Sequence, residues 1–207
     1  KTYIKYAIII GVLFAIYGIA LLLIQRGILD SYTLRVVKTA GIFMIAAFGL
    51  NLILGYTGQL TMGHAAFMSI GAYGSAIMTQ KFNMPYGVSL LVGMTSIPVK
   101  TSLMTIFFCV ALCFAVIKNL IHSSKGRAIM SVREDDIAAE AMGINPTKYK
   151  MISFVLGSAM AGLAGGLYAH FNTFIDPVTF NYAKSFDFIT YVVLGGMGSV
   201  SGTVVGT

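Results

Sequence analysis

Lys125 to Lys150 reads KGRAIMSVREDDIAAEAMGINPTKYK, a long polar segment in an otherwise apolar chain. Glu134, Asp135, Asp136 and Glu140 are four of the chain's seven acidic residues, and Lys125, Arg127, Arg133, Lys148 and Lys150 stand among them. Apolar runs flank the segment on both sides. A charge at the centre of a bilayer costs about 2.5–3.5 kcal/mol on insertion scales, so a polar segment between two spans leaves the membrane. The chain therefore reads as helices that cross a bilayer, joined at this point by a loop in water.

Composition points the same way. Hydrophobic residues make up 57% of the 207 and charged residues 10%, where a soluble domain carries about 25% charged. Disorder is excluded as well, because it needs low hydrophobicity. Glycine, at 23 residues, suits close-packed or broken transmembrane helices. The net charge of +7 does not imply nucleic acid: the lysines and arginines sit mostly beside apolar runs, where positive charge anchors and orients helix ends in lipid. Cys109 and Cys113 lie four apart in one apolar run. A bridge within one helix is strained at that spacing, and two thiolates are too few for a structural zinc, so both read as packing residues.

The polar loop has helix signals of its own. Ser131-Val-Arg-Glu134 has the spacing of a capping box, Gly143 can take a left-handed stop position, and Pro146 prevents resumption. Together they predict a short helix over about residues 132–142. Ala138, Ala139 and Ala141 leave little side chain in the way of a partner; a solvated helix with no partner is the alternative.

Spans are expected at Tyr6–Ile24, Val36–Leu54, Thr101–Ile121 and Tyr149–Phe171, since about 20 apolar residues cross the hydrocarbon core. The first is read as a retained span, because Gln25–Asp30 offers no small-residue cleavage site. Asn51 is the polar side chain deep in the second, expected to bond a neighbouring helix, with solute contact as the alternative. Gly87–Ile97 is apolar but too short to cross. Counting the helix that resumes within Gly55–Gln80, four spans precede the loop if Gly87–Ile97 does not cross, and an N-terminus inside then puts the loop inside with its lysines and arginines. In the span after the loop, Gly157, Ala161 and Gly165, with Ser158, Gly162 and Gly166 one step on, form a double small-residue stripe for close helix approach.

Two stretches interrupt the apolar pattern with glycine: GYTGQLTMGHAAFMSIGAYGSAIMTQ over Gly55–Gln80, and LGGMGSVSGTVVGT over Leu194–Thr207. Irregular backbone at membrane depth is tolerated where protein buries it or where it lines a wet cavity, and such breaks free N–H and C=O groups for a polar solute. Falling in the two halves of the chain, they suggest an inverted-repeat transporter with a midplane path. His64 has no acid within a helical turn, so a structural hydrogen bond is its first reading, and path lining or proton relay its second.

GRAIMSVREDDIAAEAMGI, GQLTMGHAAFMSIGAY and the C-terminal Leu-Gly-Gly-x-Gly-Ser segment together resemble the branched-chain amino-acid ABC transporter permeases, the LivM-like subunit. The resemblance covers about Thr39–Gln80 and Lys125–Gly206. Glu140-Ala141-Met142-Gly143 is a shorter spacing than the wider ABC-importer pattern and fits the branched-chain subfamily better. The implied fold is all-α: a polytopic helical membrane protein with discontinuous glycine-rich helices and one cytoplasmic coupling helix. Residues 1–207 form a single transmembrane permease domain with its coupling loop at 122–148; since related permeases have more sequence there, residues are expected to be missing near 92–101.

The resemblance also implies function. The chain would be a multi-pass subunit in the bacterial plasma (inner) membrane, its coupling loop cytoplasmic, importing branched-chain or similar apolar amino acids. Partners would be separate ABC ATPase subunits, a second homologous permease subunit, an extracytoplasmic solute-binding protein and membrane lipid. Arg133, Glu134, Asp135, Ala139, Glu140 and Gly143 would couple to the ATPase; Gly58, Gln59, Gly63, His64, Gly195 and Gly196 would border the solute path. No catalytic residue and no metal site is expected. The chain has no G-x-x-x-x-G-K-[ST] loop, so no cofactor is expected in it, and ATP with Mg belongs to the partner ATPases. The alternative is a stand-alone ion-coupled secondary amino-acid transporter or channel, which would want acids within the spans; none lies between the ends of the clear spans. A membrane enzyme would need a nucleophile–base pair or a metal constellation, and neither is visible.

Overall fold

The computed structural model describes residues 18, 30–82, 102–172 and 175–207. Apart from Gly18, the expected span Tyr6–Ile24 lies outside the described residues, as do Gly87–Ile97 and the shortfall near 92–101. Within what is described, every regular element is a helix.

Hydropathy sets the long elements. α1, Ser31–Leu50, runs on without a break as a π-helix over Asn51–Tyr56. α2 is His64–Phe82, α3 is Leu103–His122 and α6 is Pro146–Phe171. Ser31–Tyr56, α3 and α6 are the three helices among the described residues long and apolar enough to cross a membrane. Each contains or nearly matches the span expected from sequence. α6 starts where its sequence dictates: the Asn145 carboxamide accepts from the Lys148 amide, and Pro146 fills a first-turn position whose N–H would have no partner. Asp176 likewise caps a 3-10 turn at Pro177–Phe180 by accepting from the Val178 amide. α7, Tyr182–Leu194, and the short α8, Val200–Gly206, complete the set.

α6 lies between α1 and α2, and small residues set both crossings. A Cβ on Gly49 of α1 would stand 2.4 Å from the Gly157 carbonyl oxygen, and one on Gly71 of α2 would stand 2.0 Å from that of Gly162. The double stripe therefore receives two helices, α1 at Gly157 and α2 at Gly162, Gly165 and Gly166. Lipid tails are as apolar as leucine, so close backbone approach and van der Waals contact hold such crossings together. Ile42, Phe48, Ile106, Leu167 and Phe188 are buried where α1, α3, α6 and α7 meet.

Contacts along the helices fix their directions. Lys38 of α1 lies over Phe171 at the far end of α6, while Gly49 meets Gly157, fourteen residues nearer the loop, so α1 runs toward the polar loop. α2 runs away from it, with Phe67 against Phe154 and Ser75 bonded to His170. α7 runs toward the loop, with Lys184 over Phe43 and Gly198, just past its end, bonded to Asn51; α8 turns back. Both glycine-broken stretches therefore turn at the loop end and in the same sense. They are not the inverted pair their spacing suggested.

The loop departs from expectation. The single helix over about 132–142 is two helices: α4, Ser124–Glu134, and α5, Asp136–Ala141. The capping box at Ser131 and Glu134 does not form, because Ser131 sits inside α4 and donates to the Ala128 carbonyl at 2.9 Å. Asp135 takes the capping role with extended backbone, its carboxylate accepting from the amides of Ile137 at 2.8 Å and Ala138 at 3.1 Å. An aspartate two and three residues before free amides caps better than a serine whose own chain has already entered a helix. Gly143 does end α5, at φ +80°.

Candidate functional site: the joint between the loop and the glycine breaks

The two glycine breaks touch, and Asn51 ties them. Asn51 opens the π-helix and is buried. Its Nδ2 donates to the Ser199 carbonyl at 3.0 Å and to Thr203 Oγ1 at 2.7 Å, and its Oδ1 accepts from the Gly198 amide at 3.0 Å. All three partners lie in the second break and the helix after it. The alternative reading of Asn51 as a solute contact does not hold here, since both ends of its amide are engaged within the protein. Gly55, also in the π-helix, is close enough to the Gly198 amide that a Cβ would stand 2.5 Å from it.

The wider π turn leaves carbonyls that an α-helix would have used. Thr57 Oγ1 takes up that of Leu52, and the Gln59 amide that of Ile53. The Gly55 carbonyl goes to Arg133, whose Nη1 donates to it. Arg133 closes the last turn of α4, and its chain passes the open side of Gly58. π turns within helices occur frequently at functional sites. Beneath this joint, Leu52, Tyr56 and Ile129 form a small buried cluster with Met130, Tyr149 and Val200 packed on it. One cluster thus holds the loop, the π-helix and the second break together.

The residues expected to border a path divide. Gly58 is exposed with φ +73°, Gln59 is half-buried, and Gly63 is exposed with nothing near the place of a Cβ. His64 is fully buried: Nε2 lies 2.8 Å from the Ala46 carbonyl and the ring meets the edge of Phe188. This geometry is the structural hydrogen bond of its first reading. Gly195 and Gly196 are half-buried, Gly196 with φ +91°. Beside the joint an open cleft of about 590 Å³ runs between α1, α3 and α8, lined by apolar Phe48, Val110, Phe114 and Val204 and by polar Tyr56, Lys118, His122, Ser199 and Ser201.

The residues expected to couple to an ATPase also divide. Glu134, Asp135, Glu140 and Gly143 are exposed, while Ala139 is buried and Arg133 is turned toward Gly55. Two apolar side chains missed by sequence reading stand out from this polar surface, Ile137 at 81% and Met142 at 82% exposure. Both lay in the quoted loop; an apolar residue on a short helix among acids was the available signal. Lys150 pairs with Asp136 and fastens α5 to the start of α6. Among the described residues no cluster of three or more His, Cys, Asp or Glu could hold a metal, and Cys109 and Cys113 are free and buried.

The family model for the permease component of the branched-chain amino acid transport system matches residues 32–97 and 92–207. The chain belongs to that permease family. The permease is 42% identical over 90 residues to the high-affinity branched-chain amino acid transport system permease protein LivM of Salmonella typhimurium, covering 44% of this chain and 21% of the relative. It is 24% identical over 261 aligned positions to LivM of Escherichia coli, covering 86% and 60%. It is 32% identical over 117 residues to the guanosine ABC transporter permease protein NupQ of Bacillus subtilis, covering 54% and 36%. The chain thus spans at most about three-fifths of these relatives' length. No solved structure matches it.

Proposed function

We propose that this permease is a membrane subunit of an ATP-driven ABC importer for branched-chain or similar apolar amino acids. The observation that carries the proposal is α5: a short capped helix outside the spans, with Ile137 and Met142 exposed among acids, directly joined through α4 to both glycine breaks. The LivM names of the relatives support the solute class. In this reading separate ATPase subunits hold ATP and Mg and receive α5, with Glu134, Asp135, Glu140 and Gly143 on the docking face and Ala139 keeping the helix seated. A second, homologous permease subunit completes the path, and an extracytoplasmic binding protein delivers the solute. The loop then faces the cytoplasm of a bacterium with an inner membrane. Gly58, Gln59, Gly63, Gly195 and Gly196 border the route, where glycine lets the backbone flex.

Residues 1–207 are taken as one permease domain. The 261 aligned positions for 86% of the chain, and a family match in two stretches meeting at 92–97, support relatives with a longer segment there. A nucleoside is the second solute reading, favoured by the NupQ likeness. The test is uptake into proteoliposomes holding the permease with its co-purified partners: ATP-dependent accumulation of leucine supports the amino-acid reading, and of guanosine the nucleoside one. Accumulation without ATP, driven by an ion gradient, would overturn both and favour a stand-alone secondary transporter or channel.

A further inference from the structure

We propose that Arg133 is the strut through which the loop sets the position of the two glycine breaks, rather than a contact of the ATPase. The inference deepens the importer reading and rests on it.

Three observations carry it. The guanidinium donates through Nη1 to the carbonyl of Gly55, inside the π-helix and 78 residues away in sequence. The same Nη1 lies 3.1 Å from where a Cβ of Gly198 would stand, in the other break. Among the described residues no carboxylate comes within ion-pair distance of Arg133, although Glu134, Asp135 and Asp136 follow it directly. Two of those acids are engaged elsewhere, Asp135 on the amides of Ile137 and Ala138 and Asp136 on Lys150. The guanidinium is left to donate to the backbone, through Nη1. α4 cannot shift freely around it, because Ile129 and Val132 are buried, Ile129 against Leu52 and Tyr56. A tilt of α5 and α4 is therefore delivered to the Gly55 carbonyl, and through the Gly55–Gly198 contact and the Asn51 clasp to the second break.

A long side chain with a charged donor suits the role. It holds the Gly55 carbonyl by a charge-assisted bond from a distant helix. Arg133 touches no solute in this account; it positions the backbone that does.

The experiment uses the assembled importer in proteoliposomes, with leucine as the probe, and reads leucine imported per ATP hydrolysed. Arg133→Met keeps the stem and removes the donor. The expected result is that the ATPase still co-purifies while import per ATP falls at least about tenfold, the shift that one charge-assisted bond commands. Arg133→Lys, which keeps a charged donor, restores the ratio to within about threefold. If Met serves better than Lys, Arg133 is packing and the proposal is overturned. It is also overturned if Arg133→Met leaves the ratio unchanged, or if the ATPase is lost with it, which would make Arg133 part of the docking face. Should Arg133→Met fail to reach the membrane, Arg133→Leu is read by the same ratio, with the same loss expected and an unchanged ratio overturning. The wider reading fails separately: if Ile137→Ser with Met142→Ser leaves the ATPase bound, α5 is not the docking helix, whatever Arg133 does.

Discussion

Asn51 is the residue on which the joint turns. It satisfies a donor, a carbonyl and a hydroxyl of the second break at once. Replacing it by leucine leaves the Gly198 amide without its acceptor, at about 1–3 kcal/mol for a buried group without a partner, and reduces the Ser199 carbonyl and Thr203 hydroxyl to the bonds they make with each other and with the Thr203 amide. Asn51→Leu is expected to lower the thermal unfolding midpoint in detergent by several degrees. A midpoint within a degree of wild type would mean that water or lipid already serves those groups. The sequence marked Asn51 as an isolated amide in an apolar run and predicted a helix partner. It could not name Ser199 or Thr203, about 150 residues away, because a side chain's chemistry specifies the type of its partner and not its place in the chain. His64 was legible in the same limited way: the absence of a nearby acid argued for a structural bond, and only the fold supplied Ala46.

At the scale of the element, spans were the legible part. Apolar length fixes where a helix can cross, and caps such as Asn145 and Asp176 are local signals. The small-residue stripe on α6 was equally legible as a pattern, but that it receives two helices depends on where α1 and α2 lie. Gly165 tests it: a Cβ there would stand 1.9 Å from the Met68 carbonyl oxygen. Gly165→Ala must push α2 away and is expected to cost about 1–3 kcal/mol as an overpacked crossing. Gly63→Ala, with open space around it, should stay within about 0.5 kcal/mol of wild type. Equal midpoints for the two variants would contradict the packing described. The loop was misread because Ser131 and Asp135 are both plausible caps, and the choice was made by the burial of Ile129 and Val132, which extends α4 past Ser131. Asp135→Ala should remove about 0.5–2 kcal/mol of support from α5. Faster amide exchange at Ile137 and Ala138 would show it, and unchanged exchange would mean that the cap is idle.

For the whole molecule, membership in the permease family and an all-helical membrane architecture could be read from residues alone. The π-helix and the contact between the two breaks could not, since both arise from packing between distant segments. Their arrangement gives the importer account its mechanical content: one end of the molecule gathers an exposed helix, Arg133 and the two glycine breaks into one joint. Family likeness by itself does not supply an engine, and the account requires that α5 be held by one. The most direct measurement is a photocrosslinking residue placed at Met142 in the cells that make this permease. The product should contain a second polypeptide carrying a phosphate-cradling G-x-x-x-x-G-K-[ST] loop, identified by mass spectrometry. Crosslinks to lipid or to extracytoplasmic proteins, with no ATPase among the products, would contradict the account.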